Sequence, residues 1–154
     1  MDRPSDRPYT GTVGRKTPEA QAAITESKQV EAGMLNLDTR MLIALVAGNA
    51  SAAEAACAGK RSLVISEMVM WELANLVRKG YLRMDLNDSQ FQGWLRQLRV
   101  LPISSEIARQ SIRLDFSSDP VDEIIAATSV VENIPLLTRN PRIRRSRMVP
   151  LAPY

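Results

Sequence analysis

Residues 118–140 read SDPVDEIIAATSVVENIPLLTRN, and their pattern decides the fold. They give an acidic helix start, an alanine-rich helix, a tight link, a buried strand and a polar strand tip, Thr138-Arg139-Asn140. Asp at the N-cap, Pro at the first helical position and an acid two places later suit the start of a helix. This is a strand-to-strand crossover in miniature, with two carboxylates at one end and a polar cluster at the other.

The same alternation runs outward through the chain. A short apolar strand at 35–38 ends in Asp38, and a helix with Met41, Leu42, Leu45 and Val46 at helical spacing follows, stopping at Gly48-Asn49. A small alanine-rich helix is expected at 51–58, a strand at 63–65, and a Ser66-capped helix at 67–79 ending at Gly80. Further helices are expected from 87–89 to 98 and from 104–106 to 114, with a strand at 100–102 between them and a final edge strand at 148–151. Short strands alternating with helices predict right-handed crossovers and an α/β fold, a parallel sheet between helical layers. In such sheets the working site lies beyond the carboxyl ends of the strands, where Asp38, Ser66, Thr138 and Asn140 fall.

Residues 1–33 differ from the rest. They carry five basic and five acidic residues, many small polar ones and few large apolar ones, which predicts a disordered extension before a folded domain at 34–154. Met34 stands directly before the first strand pattern, a natural place for the folded part to begin.

Composition narrows the chemistry. The chain has 154 residues, enough for one core, with 45% apolar and 24% charged residues, as in a globular protein. No apolar run is long enough for a bilayer, and the start lacks the apolar stretch of a signal peptide. A single cysteine, Cys57, excludes an intrachain disulfide or a cysteine metal cluster, and a reducing cytoplasm is the expected location. Histidine is absent, which removes Ser-His-Asp and Cys-His catalysis, histidine acid–base ribonuclease chemistry and HExxH zinc sites. Hydrolysis would then rest on carboxylates, and carboxylates alone favour Mg²⁺ or Mn²⁺. The net charge is only +3, yet residues 138–154 hold five arginines (139, 142, 144, 145 and 147) and no acid, a cluster fit for phosphates.

Each candidate acid has an ordinary reading beside the chemical one. Asp38 would serve as the N-cap of the next helix. Glu72 could be a solvated helical glutamate, but its helix is apolar almost all round, and a partly buried carboxylate needs a cation or hydrogen bonds. Asp119 and Asp122 both suit the positive start of a helix. Direction separates them: Asp122, Ala126 and Ser129 share a face of small residues that can approach another element, so Asp119 is assigned to capping and Asp122 to a metal site. Thr138 and Asn140 could hold waters or phosphate oxygens, or simply form the turn before Pro141. Three acids able to converge at one sheet edge favour Mg²⁺ phosphoryl chemistry. A haloacid-dehalogenase Asp-x-Asp is disfavoured by Arg40, and no P-loop or GxGxxG is present.

Leu35-Asn36-Leu37-Asp38-Thr39, Ser66 with Trp71-Glu72-Leu73, the run 119–128 and Leu137-Thr138-Arg139-Asn140 resemble, in order and approximate spacing, the PIN-domain ribonucleases, and among them the VapC toxins of toxin–antitoxin pairs. The resemblance spans about 34–151. It implies a parallel sheet of about five strands flanked by helices, Mg²⁺ or Mn²⁺ dependence and endonucleolytic RNA cleavage. Asp38, Glu72 and Asp122 look like the family's metal-binding acids, and Thr39 and Thr138 like its supporting hydroxyls. Many members have a fourth acid where Asn140 stands, and Arg40 replaces a residue that is often His. Dimerisation and silencing by a small antitoxin are implied as well. The expectation is a Mg²⁺-dependent endoribonuclease toxin using an activated water, with RNA steered by Arg139, Arg142, Arg144 and Arg145. The alternative is a catalytically weak PIN-like module that binds RNA or a protein.

Overall fold

The computed structural model describes residues 33–154. The expected extension at 1–33 lies outside them apart from Gly33. The described chain runs β1 (Met34–Leu37), α1 (Thr39–Val46), α2 (Ala52–Gly59), β2 (Ser62–Ser66), α3 (Glu67–Arg78), α4 (Ser89–Leu95), β3 (Arg99–Leu101), α5 (Ser105–Ser111), α6 (Pro120–Glu132), β4 (Leu136–Leu137) and α7 (Pro141–Arg144). None of these helices is long and apolar enough to cross a membrane.

The strands form one parallel sheet in the order β3-β2-β1-β4. Leu35 stands beside Leu63, Leu37 beside Ile65 and Leu137, and Ile65 beside Val100. The fifth place is filled by a single parallel bridge between Leu136 and Leu151. Pro150 accepts from the Leu136 N–H and Ala152 donates to the Leu136 carbonyl, but Pro150 and Pro153 have no N–H to extend the ladder. The expected edge strand is therefore shortened to one pair.

Leu35, Leu37, Val64, Ile65, Leu136 and Leu137 are all buried, as in a parallel sheet covered by helices. Met41, Leu42, Val69, Leu73, Ile125 and Ala126 pack against that surface. Burying each large aliphatic side chain contributes about 1.5–3 kcal/mol. The face of α6 read as small is buried at Ala126 and Ser129. There the Asn36 amide of β1 donates to Ser129 Oγ at 2.9 Å and to the Ile125 carbonyl at 3.3 Å. The link from α6 to β4 is short because Asn133 takes a left-handed turn at φ 53°.

Every described helix starts on Asp, Ser or Asn with its side chain accepting from the first turn. In a parallel sheet, strand ends meet helix starts on one edge, so these polar caps gather there. The chain builds β1, β2 and β3 in one direction and then returns to place β4 on the other side of β1. A crevice opens at such a reversal, beyond the carboxyl ends of β1 and β4.

Candidate metal centre

Asp38, directly after β1, is buried and has two structural partners. One oxygen caps α1 by accepting from Met41 N–H at 2.8 Å, and the other accepts from the Thr138 hydroxyl at the end of β4. The Asn140 N–H in turn donates to Thr138 Oγ1 at 3.0 Å. Capping and site placement are thus one arrangement for Asp38 rather than competing ones.

Glu72 projects from the second turn of α3 and accepts from the Thr39 hydroxyl. Asp122, in the first turn of α6, accepts from Ser118 Oγ at 2.9 Å and from the Asn140 amide at 2.8 Å. Asp119 caps α6, accepting from Asp122 N–H at 3.0 Å. Asp38, Thr39, Arg40, Glu72, Asp119, Asp122, Arg139 and Asn140 line one cleft of about 230 Å³. Pro141 completes the wall.

The electrostatics express this convergence. Asp38 is pushed above the usual carboxylate range by burial, with the Thr138 hydroxyl and Met41 N–H pulling the other way. Glu72 is raised by burial and by the charges of Asp119 and Asp38, against the Thr39 hydrogen bond. Asp122 is raised to about 6, by burial and then by Asp119 and Glu72, against the Ser118 hydrogen bond. Asp119 therefore acts on the site as well as capping the helix. The cleft has a fourth carboxylate, offered by residue 119 and not by residue 140.

Among the described residues no three acids stand close enough to form a ready-made metal cluster. Each site carboxylate is instead turned toward a neighbouring hydroxyl or amide. The donor set still fits a hard divalent cation: its charged groups are all oxygen donors, partly desolvated and mutually repelling, and a cation relieves both costs.

The arginines are placed differently from one another. Arg139 reaches the cleft rim but its guanidinium grips the buried Glu54 of α2, at 2.7 and 2.6 Å. That contact holds Glu54 down at about 2 and raises Arg139. Arg142 donates to the Ser117 carbonyl at 3.1 Å. Arg144 donates to the Thr138 carbonyl at 3.2 Å and to the Tyr154 hydroxyl at 2.6 Å, lying 4.8 Å from that ring's centre. Arg145 is exposed. None of these last three lines the acid cleft.

Three contributors escape sequence reasoning. Ser118 was visible as part of the helix start, yet its bond to Asp122 depends on the turn before α6. Glu54 closes a capping box with Ser51 as the third residue of α2, which gave no sign of a bond to Arg139. Tyr154, whose hydroxyl also donates to the Thr138 carbonyl at 2.9 Å, carries no local signal at all.

The sequence model of the PIN domain matches residues 36–147. No curated protein matches the chain. Among solved structures, VapBC2 from Rickettsia felis bound to a DNA fragment from its promoter is similar at a TM-score of 0.62 and 20% identity, over 77% of this chain and 96% of that one. A toxin–antitoxin complex from Klebsiella pneumoniae is similar at 0.55 and 23% identity, over 72% and 90%. At these identities the likeness is one of fold.

Proposed function

The chain belongs to the PIN domain family, and from that premise we propose that it is a metal-dependent endoribonuclease, the toxin of a type II toxin–antitoxin pair. One observation carries the reading. Carboxylates from three elements, Asp38, Glu72 and Asp122, face one small cleft with their pKa values raised by burial. Acids whose pKa values are raised together in one cleft point to a functional site.

Asp38, Glu72 and Asp122 would hold Mg²⁺ or Mn²⁺. Held there, such an ion would supply a water of lowered pKa and offset charge on the phosphoryl oxygens. The rest belongs to the chain. Thr138 and the Met41 N–H fix both oxygens of Asp38, Thr39 fixes Glu72, and Ser118 with Asn140 fixes one oxygen of Asp122. Asp119 adds negative charge to the same cleft. Arg40, exposed at the cleft, is the cation best placed to meet a scissile phosphate.

Among the C-terminal arginines, Arg145 and Arg142 are assigned to RNA backbone contact, while Arg139 and Arg144 carry structural bonds first. The toxin–antitoxin complexes with similar folds support a cognate antitoxin as partner, and the proposal adds a homodimer working in the cytoplasm.

The test is cleavage of total RNA with Mg²⁺ or Mn²⁺ by the protein and by Asp38→Asn and Asp122→Asn. Cleavage by the parent alone is expected. Persistence in both variants would sink the assigned site. Absence from every preparation, with RNA still bound, would favour a PIN-like binding module.

A further inference from the structure

A second groove adjoins the acid cleft and shares Glu72 and Asp119 with it. It has a volume of about 350 Å³ and runs between α3 and the start of α6. Met68, Trp71 and Asn75 follow one another along α3 at helical spacing and Lys79 caps its C-terminal end, facing Pro120 and Val121, with Tyr81 at the far end. Trp71 is 58% exposed, although Val69 and Leu73 of the same helix are fully buried, and Tyr81 just beyond the helix is 78% exposed. Two exposed aromatic rings beside a catalytic cleft are not explained by core packing.

Resting on the ribonuclease reading, we infer that this groove takes one unpaired base of the RNA, stacked on Trp71, next to the phosphate at the acid cleft. Three features select that occupant. The groove is continuous with the proposed site of cleavage, so the nucleotide flanking the scissile phosphate has to pass it. Its volume is that of a small-ligand site. Away from the end shared with Glu72 and Asp119, its walls combine aromatic faces with a cation, Lys79, the pair that recurs where single strands are held by stacking without sequence readout. Lys79 lies seven residues from Glu72, roughly 10 Å along the helix axis, within reach of a neighbouring phosphate. Duplex RNA cannot present a base in this way.

The chain has two tryptophans, and Trp94→Phe leaves Trp71 as the sole reporter. A short single-stranded RNA is titrated into that protein without divalent metal, so that binding is read apart from cutting. Quenching of Trp71 emission by the single strand, and not by the same RNA annealed into a duplex, is expected. Anisotropy should show about tenfold weaker binding for Trp71→Ala and near-parent binding for Trp71→Phe. Circular dichroism confirms that each variant is folded. Equal RNA affinity in Trp71→Ala with no quenching in the parent overturns the inference and leaves the nuclease reading intact. So does a Trp71→Ala protein that sediments as a smaller species at unchanged RNA affinity, which makes the groove a contact between copies. A parent that neither binds nor cuts RNA overturns both.

Discussion

The side-chain amide of Asn140 donates to Asp122 across 2.8 Å, tying the start of α7 to the start of α6. Ser118 donates to the same oxygen. Replacing Asn140 by Asp removes a donor and sets two carboxylates against each other. Asn140→Asp should therefore lower Tm without metal and show a larger Mg²⁺-induced rise than the parent. Thermal melts with and without MgCl₂ check both signs, and a metal-free Tm at or above the parent's contradicts the arrangement.

The Thr138 and Thr39 hydroxyls orient Asp38 and Glu72. Groups that aim a ligand typically account for about 10–100-fold in metal affinity or activity. Thr138→Val and Thr39→Val should each raise the Mg²⁺ concentration for half-maximal cleavage by about tenfold. Folding should survive, because valine keeps the shape. Unchanged metal dependence would show that the acids hold their positions unaided.

Asp38→Asn separates capping from chemistry. Asn caps helices as well as Asp, so the bond from Met41 N–H is retained while the buried charge is lost. Cleavage should fall below detection while the metal-free Tm stays level or rises. A collapse in Tm would make Asp38 mainly structural.

The raised acids fix a pH profile. Asp122 titrates at 3.8 in a free chain and at about 6 here, and Asp38 and Glu72 shift the same way. The folded protein thus keeps protons that the unfolded chain has released, and metal-free stability falls as pH rises through that window. Glu54 runs opposite: lowered from 4.5 to about 2, it contributes stability above 4.5 that is lost as pH falls toward 2. Metal-free stability should peak at about pH 4, where the gain from Glu54 ionising and the loss from the raised acids balance. Mg²⁺ should restore stability at pH 7, since the cation competes with these protons. Urea midpoints across pH give the curve, and a metal-free maximum at pH 7 or above would refute the site electrostatics.

Arg139 has a structural bond to make in the protein itself. Its two bonds neutralise the buried Glu54, so Arg139→Ala should drop Tm by several degrees. Adding Glu54→Gln should recover part of that loss, because a neutral amide is cheaper to leave unpaired. Arg145→Ala should leave Tm alone and reduce the salt slope of RNA binding by about 0.7. A reduced slope in Arg139→Ala with no change in Tm would reverse the two roles.

Local chemistry determined the order of elements. Apolar runs of strand length, Asp, Ser and Asn caps and Gly or Asn stops each act within a few residues, so the parallel α/β plan was legible at nearly every boundary. The three acids and the capping role of Asp119 were legible too, because strand ends and helix starts must meet on one edge of such a sheet. The tertiary structure decided what distant segments do to one another. Thr138 meets Asp38 across 100 positions and Arg139 meets Glu54 across 85. The return of β4 to the free side of β1 creates both contacts. No periodicity encodes them, and for the same reason Asp119 proved to be the fourth charge of the cleft and Asn140 a donor that holds Asp122 in place.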